Sequence, residues 1–230
     1  MPKADVIVLC GGLGTRLKGV LGATPKPMAL IQAKPFLEIL IESAARQGFR
    51  RFILCVGHGA EEVEKHFHDG GGRTFHFSRE SEPLGTAGAL KRCEPLRRGE
   101  VSLVMNGDSF CDLDLDGLLE RHARCGGSGA IAVVPSAGRA DGGAVEFGAD
   151  GRISAFKEKI PQGAAYINAG IYALGRRAFA EIPAGRPCSL EREIFPALIA
   201  SGLYAHPVEA PLYDIGTPER LELFRRFRRE

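Results

Sequence analysis

The sequence predicts an α/β fold in which helices cover both faces of a mixed, mostly parallel sheet, giving three layers. Short apolar runs bounded by glycine recur along the chain, and segments of helical periodicity separate them. This pattern is typical of strands and helices that alternate around a parallel sheet. The chain of 230 residues is also long enough to build a sizeable core without disulfides or metal.

The first half of the chain alternates regularly between strands and helices. The predicted strands are Val6–Cys10, Phe52–Val56, Thr74–Ser78, Ser102–Met105 and Ala130–Val134. The predicted helices lie between strands, at Phe36–Gln47, Glu61–Phe67, Thr86–Cys93 and Leu115–Arg124. In the first helix, one stripe carries the apolar side chains and Gly48 marks the end.

Further along the chain the spacing of the elements changes. Short strands are predicted around Val145, Ile153 and Ile171, followed by helices at Leu190–Ser201 and Thr217–Arg228. No Pro/Ser-rich or charged linker separates this part from the first. We therefore expect it to extend the same sheet, so that residues 1–230 form a single domain.

Composition and charge exclude several classes of protein. Thirty basic and 28 acidic side chains leave a formal charge of +2, which gives no electrostatic support for binding nucleic acid or a membrane. The longest apolar runs are far shorter than the ~18 residues that span a bilayer, and Met1–Gly12 lacks the long apolar region of a signal peptide. The six cysteines form no C-x-x-C pair, which predicts reduced thiols in a cytoplasmic protein, with no disulfide framework or zinc site.

A glycine-rich turn follows the first predicted strand, with the sequence Cys10-Gly11-Gly12-Leu13-Gly14-Thr15-Arg16. Glycines there let backbone N–H groups approach a polyphosphate, and the arginine can neutralise it. The turn lacks the third glycine of a dinucleotide fingerprint and the Lys-Ser/Thr of a P-loop. By itself it is explained equally well as a tight turn without a ligand.

A second feature makes a phosphate site the better interpretation. Lys26 lies between Pro25 and Pro27, and we expect the two prolines to hold the lysine in a rigid, extended backbone. A rigidly presented ammonium group is useful when its position matters.

These two motifs belong to a longer series that resembles the sugar-1-phosphate nucleotidyltransferase family. The series continues with Lys34-Pro35, Glu82-Pro83-Leu84-Gly85-Thr86-Ala87-Gly88-Ala89, Asn106-Gly107-Asp108, Phe156-Lys157-Glu158-Lys159, Asn168-Ala169-Gly170 and Asp214-Ile215-Gly216-Thr217-Pro218. It covers nearly the whole chain in order. The resemblance implies the Rossmann-like fold of nucleotide-diphospho-sugar transferases, with a nucleotide-binding part at about 1–134 and a sugar-phosphate-binding part at about 135–230.

In this family a sugar 1-phosphate attacks the α-phosphorus of a nucleoside triphosphate, and pyrophosphate leaves. The attacking oxygen is already an anion, so no general base is required and the protein has to bring two anions together. The resemblance implies catalytic roles for three cations: Arg16 stabilises the pyrophosphate, Lys26 bridges phosphates at the reacting centre, and Lys159 holds the sugar phosphate.

The resemblance also implies which residues bind each substrate. Those at the nucleotide are Leu9, Gly11, Gly12, Gly14, Thr15, Gly85 and Thr86. Thr86 is in addition a candidate cap for the helix that it opens. Those at the sugar phosphate are Gly143, Glu158 and Asn168. The chain departs from the family pattern next to one of these positions, because it has Gly142-Gly143 where related sequences often carry Tyr-Gly.

Asp108 and Asp214 are, by the same resemblance, the ligands of Mg²⁺. Each follows a short apolar segment, so we expect both at strand ends on the ligand-binding edge of the sheet. Mg²⁺ needs only one or two carboxylates besides substrate phosphates and water. Asp108 could instead have a purely structural role, since an aspartate beside a turn such as Asn106-Gly107 often only forms hydrogen bonds with that turn.

The choice of substrates follows from resemblance alone. The sequence is most similar to the D-glycero-D-manno-heptose 1-phosphate guanylyltransferases, which implies GTP and a sugar 1-phosphate as partners. Their nucleotide-sugar products serve cell-surface polysaccharides such as lipopolysaccharide and capsule. Mannose-1-phosphate guanylyltransferases and N-acetylmuramate 1-phosphate uridylyltransferases are the alternatives, and no residue physically demands guanine over uracil or thymine. A homodimer is a further expectation, with apolar Phe224 and Phe227 as candidates for its interface.

Two other classes of protein could share features of this sequence. A nucleotide-sugar glycosyltransferase could share the sheet and a metal-binding aspartate, but it has little use for the glycine turn and the rigid lysine, because it activates no triphosphate. A catalytically silent regulatory subunit would be expected to have lost the charged residues. Here all five are present, namely Arg16, Lys26, Asp108, Lys159 and Asp214.

Overall fold

The computed structural model describes residues 3–12, 14–137, 139, 142–157 and 165–228. The strands, numbered along the chain, are β1 (Asp5–Leu9), β2 (Leu30–Ile31), β3 (Lys34–Pro35), β4 (Arg51–Val56), β5 (Thr74–Arg79), β6 (Val101–Asn106), β7 (Ser109–Cys111), β8 (Gly129–Pro135), β9 (Ala144–Phe147), β10 (Ile153–Lys157), β11 (Tyr166–Gly175), β12 (Leu203–Pro207) and β13 (Leu212–Asp214). The α-helices are α1 (Lys18–Leu21), α2 (Phe36–Arg46), α3 (Ala60–His66), α4 (Gly85–Cys93), α5 (Leu115–Cys125), α6 (Arg176–Ala180), α7 (Phe195–Leu198) and α8 (Pro218–Phe227).

Over these described ranges, nine strands form one central sheet with the order β10-β9-β11-β6-β1-β4-β5, and β8 and β12 extend it from β11. Strands β6, β1, β4 and β5 are parallel to one another. Strand β11 is antiparallel to β6, β8 and β9, and β10 is antiparallel to β9. Because β12 is parallel to β8, seven of the nine strands run in one direction. The prediction of a mixed, mostly parallel sheet is therefore confirmed.

Helices pack on both faces of this sheet and give the predicted three layers. Alternate side chains of β1 enter the two cores, Val6 and Val8 on one face and Ile7 on the other, as the two-residue period of a strand requires. The first core includes apolar side chains of α2, α3, α5 and α8, whereas the second includes those of α4, α6 and α7. None of the helices that the structure describes combines the length and the apolar character needed to cross a bilayer.

The long, periodic elements lie where the sequence predicts them, whereas several short ones were not predicted. Among the latter are the β2–β3 hairpin, strand β7 with its antiparallel pairing to β13, strand β12, and helices α1 and α6. Two- and three-residue strands carry no detectable periodicity, and their pairing depends on tertiary contacts. The predicted helix at Leu190–Ser201 is shorter, because a π-helical turn at Leu190–Ile194 precedes α7.

The last helix packs into the core more deeply than the sequence suggests. Phe224 is fully buried and its ring contacts those of Phe36, Phe110 and Tyr213. The prediction that Phe224 contributes to an interface between subunits is therefore wrong. The ring of Phe227 is partly exposed and stacks on Tyr213.

Candidate functional site

A cleft of about 470 Å³ opens at the carboxyl ends of β1, β4 and β6. This is the edge at which open α/β sheets bind ligands. The structure brings together here the whole predicted nucleotide-binding set, two predicted cations and one predicted metal ligand. These residues are Leu9, Gly11, Gly12, Gly14, Thr15, Arg16, Lys26, Gly85, Thr86 and Asp108.

A second cavity of about 610 Å³ adjoins the first. It contains Gly143, Asn168 and Asp214, which were predicted at the sugar phosphate or the metal. Both cavities are lined by Arg16, Lys26, Gly85, Thr86, Asn106, Asp108 and Gly216. The two spaces therefore meet around Lys26 and Asp108, and we call this region the junction.

The glycine turn leads directly from β1 to the junction. Gly14 has a left-handed backbone (φ 57°), and a Cβ atom there would lie 3.0 Å from the Cβ of Lys26. A larger residue would thus be strained and would press on the lysine. Arg16 follows in a 3-10 turn at Thr15–Leu17, and its side chain is exposed and forms no hydrogen bond or ion pair with any residue that the structure describes. Its guanidinium remains available to an anion.

Two buried prolines flank Lys26 and hold its backbone in place. Pro25 and Pro27 are both buried, and Pro25 packs against Gly59, the residue before α3, where a Cβ atom would lie only 2.1 Å from the proline Cγ. The backbone is not extended as predicted, because Lys26–Met28 forms a 3-10 turn. Pro27 occupies an early position of this turn, where its missing N–H is not needed. The loop is held by its 3-10 turn and by the two buried prolines, and not by an extended backbone.

An ion pair links Lys26 to Asp108 across the junction. The Lys26 Nζ lies 2.6 Å from Asp108 Oδ2, and their side chains are 17% and 40% exposed. The Asp108 backbone oxygen accepts a hydrogen bond from the amide of Ile215 (2.9 Å), while Oδ1 accepts one from the Ser109 hydroxyl (3.1 Å). The carboxylate of Asp108 thus faces the lysine and the cavities. A hydrogen bond to the preceding turn therefore does not explain its position.

Glu80 is a polar residue of the first cleft that the sequence analysis missed. It follows β5, and its amide donates to the carbonyl of Val56 (2.9 Å), which continues the parallel pairing of β5 with β4. Its side chain lines the cleft, and Oε2 accepts a hydrogen bond from the Leu84 amide (3.1 Å). Burial raises the pKa of Glu80, while the Leu84 hydrogen bond and Arg92 lower it. Its position directly after a predicted strand, at the ligand edge, was a usable signal.

Gly85 and Thr86 contact the segment before α7 as well as the cleft. Gly85 has φ +71°, and a Cβ atom there would lie 2.6 Å from the Cys188 carbonyl oxygen. The Thr86 hydroxyl donates to Glu191 Oε2 (2.9 Å) and accepts from the Leu190 amide (2.8 Å). The prediction that Thr86 caps the helix is wrong, because it lies inside the first turn of α4 and binds this neighbouring segment instead.

A bulge in β11 shapes the second cavity. The register of β11 with β8 shifts between Asn168 and Tyr172, and Gly170 at its centre has φ +75° and approaches the side chain of Asn106. The bulge places Asn168 in the cavity with its amide nitrogen 2.9 Å from the Tyr172 hydroxyl. Gly143 lies next to it, since its carbonyl accepts from the Asn168 amide (2.8 Å). Glycine at that position permits close contact with the ring of Phe156.

Asp214 is surrounded by cations that the sequence analysis did not single out. Its Oδ1 accepts from Arg220 Nη1 (3.1 Å) and from the Gly216 amide (3.0 Å). Its Oδ2 pairs with Arg139 Nη2. Both arginines line the second cavity, where they add positive charge beside the junction.

The two aspartates differ in how well they fit a divalent cation. Asp108 offers a partly exposed carboxylate beside both cavities, which suits Mg²⁺ because this ion prefers hard oxygen ligands and completes its shell with phosphates and water. Asp214 fits less well in this arrangement, since both of its oxygens already accept charged donors. In the described part of the chain, no three His, Cys, Asp or Glu side chains cluster as a metal site.

Two predicted sugar-end residues, Glu158 and Lys159, lie outside the described residues. Their neighbour Lys157 is described, and it pairs with Glu146 on the surface of β9 and β10.

The chain matches a known protein family along nearly its whole length. A family model described as "Nucleotidyl transferase" matches residues 5–227. The chain is 34% identical over 216 residues to the D-glycero-alpha-D-manno-heptose 1-phosphate guanylyltransferase of Campylobacter jejuni, covering 94% of this chain and 96% of that protein. It is also 34% identical over 223 residues to the mannose-1-phosphate guanylyltransferase of Mycobacterium tuberculosis, of which it spans only 62%.

A solved structure shows the same architecture. HddC from Yersinia pseudotuberculosis, complexed with GMP-PN, superposes with a TM-score of 0.83 at 32% identity, over 96% of this chain and 97% of that chain.

Proposed function

The chain belongs to the nucleotidyl transferase family, and we propose that it transfers GMP from GTP to D-glycero-D-manno-heptose 1-phosphate, releasing pyrophosphate. The observation that carries this proposal is the meeting of two cavities at Lys26 and Asp108. The glycine turn lines one cavity and polar side chains line the other, so two phosphate-bearing substrates can place their reacting groups at the junction. The heptose substrate is proposed from a relative that this chain covers to 96% of that relative's own length.

The residues at the junction suit an in-line displacement between two anions. Backbone N–H groups of the glycine turn and the free guanidinium of Arg16 would hold the triphosphate and stabilise the departing pyrophosphate. Lys26 would release Asp108 and contact the phosphates between the two substrates. No general base is needed, because the attacking phosphate oxygen is already ionised. Lys159 would hold the sugar phosphate, as the resemblance of its motif implies.

We further propose that Mg²⁺ acts with these residues. Asp108 would hold it together with substrate phosphates, and the bound ion would neutralise charge on the triphosphate. Replacing Asp108 with Asn should weaken Mn²⁺ binding measured by electron paramagnetic resonance in the presence of GTP. Unchanged Mn²⁺ binding would remove Asp108 from the metal site.

The nucleotide and sugar are tested together in one assay. We would incubate the protein and Mg²⁺ with GTP, UTP, CTP, dTTP or ATP and the 1-phosphates of heptose, mannose, glucose or N-acetylmuramate, and measure pyrophosphate. The expected result is release with GTP and heptose 1-phosphate above all other pairs. Mannose 1-phosphate is the second candidate, because a mannose-1-phosphate guanylyltransferase is equally similar over the matched region. A preference for UTP with N-acetylmuramate 1-phosphate would contradict both.

The same assay separates the other classes of function. A nucleotide-sugar glycosyltransferase would release GDP from GDP-sugar and would not form GTP from GDP-sugar and pyrophosphate. A silent regulatory subunit would release no pyrophosphate with any pair. We expect the reverse reaction with pyrophosphate to proceed, since the junction provides the cations that bind it.

The cellular role follows from the proposed product. A GDP-activated heptose would supply the synthesis of cell-surface polysaccharide such as lipopolysaccharide or capsule, and we place the enzyme in the cytoplasm. The six free cysteines are compatible with a reducing compartment. A homodimer stays a prediction, which light scattering on the purified protein checks.

A further inference from the structure

A groove outside the candidate site lies at the amino ends of β4 and β5. Its volume is about 460 Å³, and it is lined by Glu42, Ala45, Arg46, Arg50, Gly71, Gly72 and Arg73. Arg50 directly precedes β4 and Arg73 directly precedes β5, and these parallel strands pair side by side. The first cleft opens at the carboxyl ends of the strands, so the length of β4, roughly 17 Å, separates it from this groove. We call this second space the arginine groove.

The three arginines of this groove have no acidic partner in the described part of the chain. No carboxylate there forms an ion pair with Arg46, Arg50 or Arg73. Glu42 is the acidic side chain that the structure places along the groove, and it pairs with Lys34 (2.5 Å). The whole chain has a formal charge of only +2, so these guanidinium groups form a local excess of positive charge. An anion from solution would neutralise it.

Backbone carbonyl groups hold two of these guanidinium groups in place. Arg50 donates from Nη1 to the carbonyl oxygens of Ala45 and Phe49, and Arg73 donates from Nε to that of Gly70 (3.0 Å). A carbonyl group fixes the orientation of a guanidinium without cancelling its charge. Each guanidinium keeps N–H donors that bind no described residue, since an arginine has five of them. Such preorganised donors lose little conformational entropy when they bind a phosphate.

The rest of the wall leaves these donors accessible. Gly71 and Gly72 carry no side chain over the groove, and a Cβ atom on Gly71 would lie 3.6 Å from Arg73 Nη2. Arg46 lies in the last turn of α2 and is exposed, and its side chain forms no hydrogen bond or ion pair with any residue that the structure describes. A ligand in the groove can therefore contact guanidinium groups from α2, from the start of β4 and from the loop before β5.

We propose that the arginine groove binds the diphosphate group of a small molecule. Guanidinium groups bind phosphate oxygens through pairs of parallel hydrogen bonds. Three of them balance a diphosphate better than a single phosphate, which carries about two negative charges. The volume of about 460 Å³ falls in the usual range of small-molecule sites, roughly 300 to 1,000 Å³. This site is separate from the pyrophosphate site proposed at the junction, and it goes beyond the proposed function.

The test measures binding of pyrophosphate by calorimetry in the absence of Mg²⁺. Pyrophosphate should also bind at the junction, so the test uses a double variant with Arg16→Ala and Lys26→Ala, which should still bind it in the arginine groove. Adding Arg46→Ala should weaken this remaining binding about 10- to 100-fold, because one charged donor group is lost. Arg124→Ala is the matched control, since Arg124 is also an exposed arginine in the last turn of a helix, α5, and does not line the groove.

GDP in place of pyrophosphate distinguishes a nucleotide from free pyrophosphate as the source of the diphosphate. Binding of either ligand to the double variant that Arg46→Ala weakens and Arg124→Ala does not supports the proposal. Binding of neither ligand overturns it. An equal loss with Arg46→Ala and Arg124→Ala also overturns it, because that pattern indicates diffuse charge and no defined site. None of these results requires release of pyrophosphate from GTP and a sugar 1-phosphate, so the proposed function can fail while the arginine groove stands.

Discussion

Lys26 is the single residue on which the junction depends most. Its backbone is fixed by two buried prolines, its Cβ faces the backbone of Gly14, and its ammonium reaches Asp108. Burying the stem of a lysine while leaving its charge accessible restricts the side chain before a ligand arrives. Less conformational entropy is then lost when the lysine binds phosphate, so its charge can stabilise the transition state without first being ordered.

Lys26→Ala should therefore lower kcat by about 10²- to 10³-fold, the usual effect of removing one preorganised group that stabilises transition-state charge. The melting temperature should change by no more than about 4 °C, because an ion pair with a partly exposed aspartate contributes about 1 kcal/mol or less. Lys34→Ala is the matched control, since Lys34 also pairs with an acidic residue, Glu42, but far from the cleft. A large loss of melting temperature with an unchanged kcat would assign Lys26 a structural role.

At the scale of elements, the lysine loop depends on the start of α3. Gly59 precedes this helix with a left-handed backbone (φ 69°) and supports Pro25 directly. The loop that carries Lys26 and the helix after β4 are thus in direct contact, although no charged group takes part. The position of Lys26 should be sensitive to any side chain at Gly59.

Gly59→Ala should reduce both stability and kcat. The new Cβ would overlap Pro25, so the proline and the attached lysine must move, and the left-handed backbone costs an alanine about 1 kcal/mol or more. Gly99→Ala is the control. Gly99 has φ +81° and open space where a Cβ atom would lie, so this variant introduces the backbone strain without a side-chain clash. Comparing melting temperature and kcat of the two variants isolates the contact. If Gly99→Ala loses as much kcat as Gly59→Ala, the support from Gly59 is not what positions the lysine.

Secondary-structure elements and site residues could be predicted from the sequence where a contiguous stretch of the chain carries the whole pattern. Helix α2 carries its own apolar stripe and its own stop, and the glycine turn and the proline pair are contiguous motifs. The contact between Glu80 and Gly11 shows the limit, because these residues follow different strands and meet only through the parallel registers of β1, β4 and β5. Arg139 and Arg220 likewise meet only at Asp214. Contacts of this kind depend on the sheet as a whole and leave no periodicity in the chain.

For the whole molecule, three histidines contribute to the loss of stability in mild acid. Burial lowers the pKa of His76, His122 and His206, with nearby arginines adding to the effect at His76 and His206. His122 is buried, and its Nδ1 has no hydrogen-bond partner in the described part of the chain. All three therefore favour the neutral form in the folded state and bind protons more readily when the chain unfolds.

A lowered pKa in the folded state means that the unfolded state takes up more protons below the unfolded pKa of about 6.5. The stability should be fully present above that pH and should decrease as the pH falls below it. We expect the melting temperature to be level between pH 7 and 8 and to fall steadily from pH 6.5 to 5. His122→Leu should flatten this acid slope, because leucine occupies the buried position without a titrating ring. A slope that His122→Leu leaves unchanged would exclude this histidine and shift the acid sensitivity to the other two.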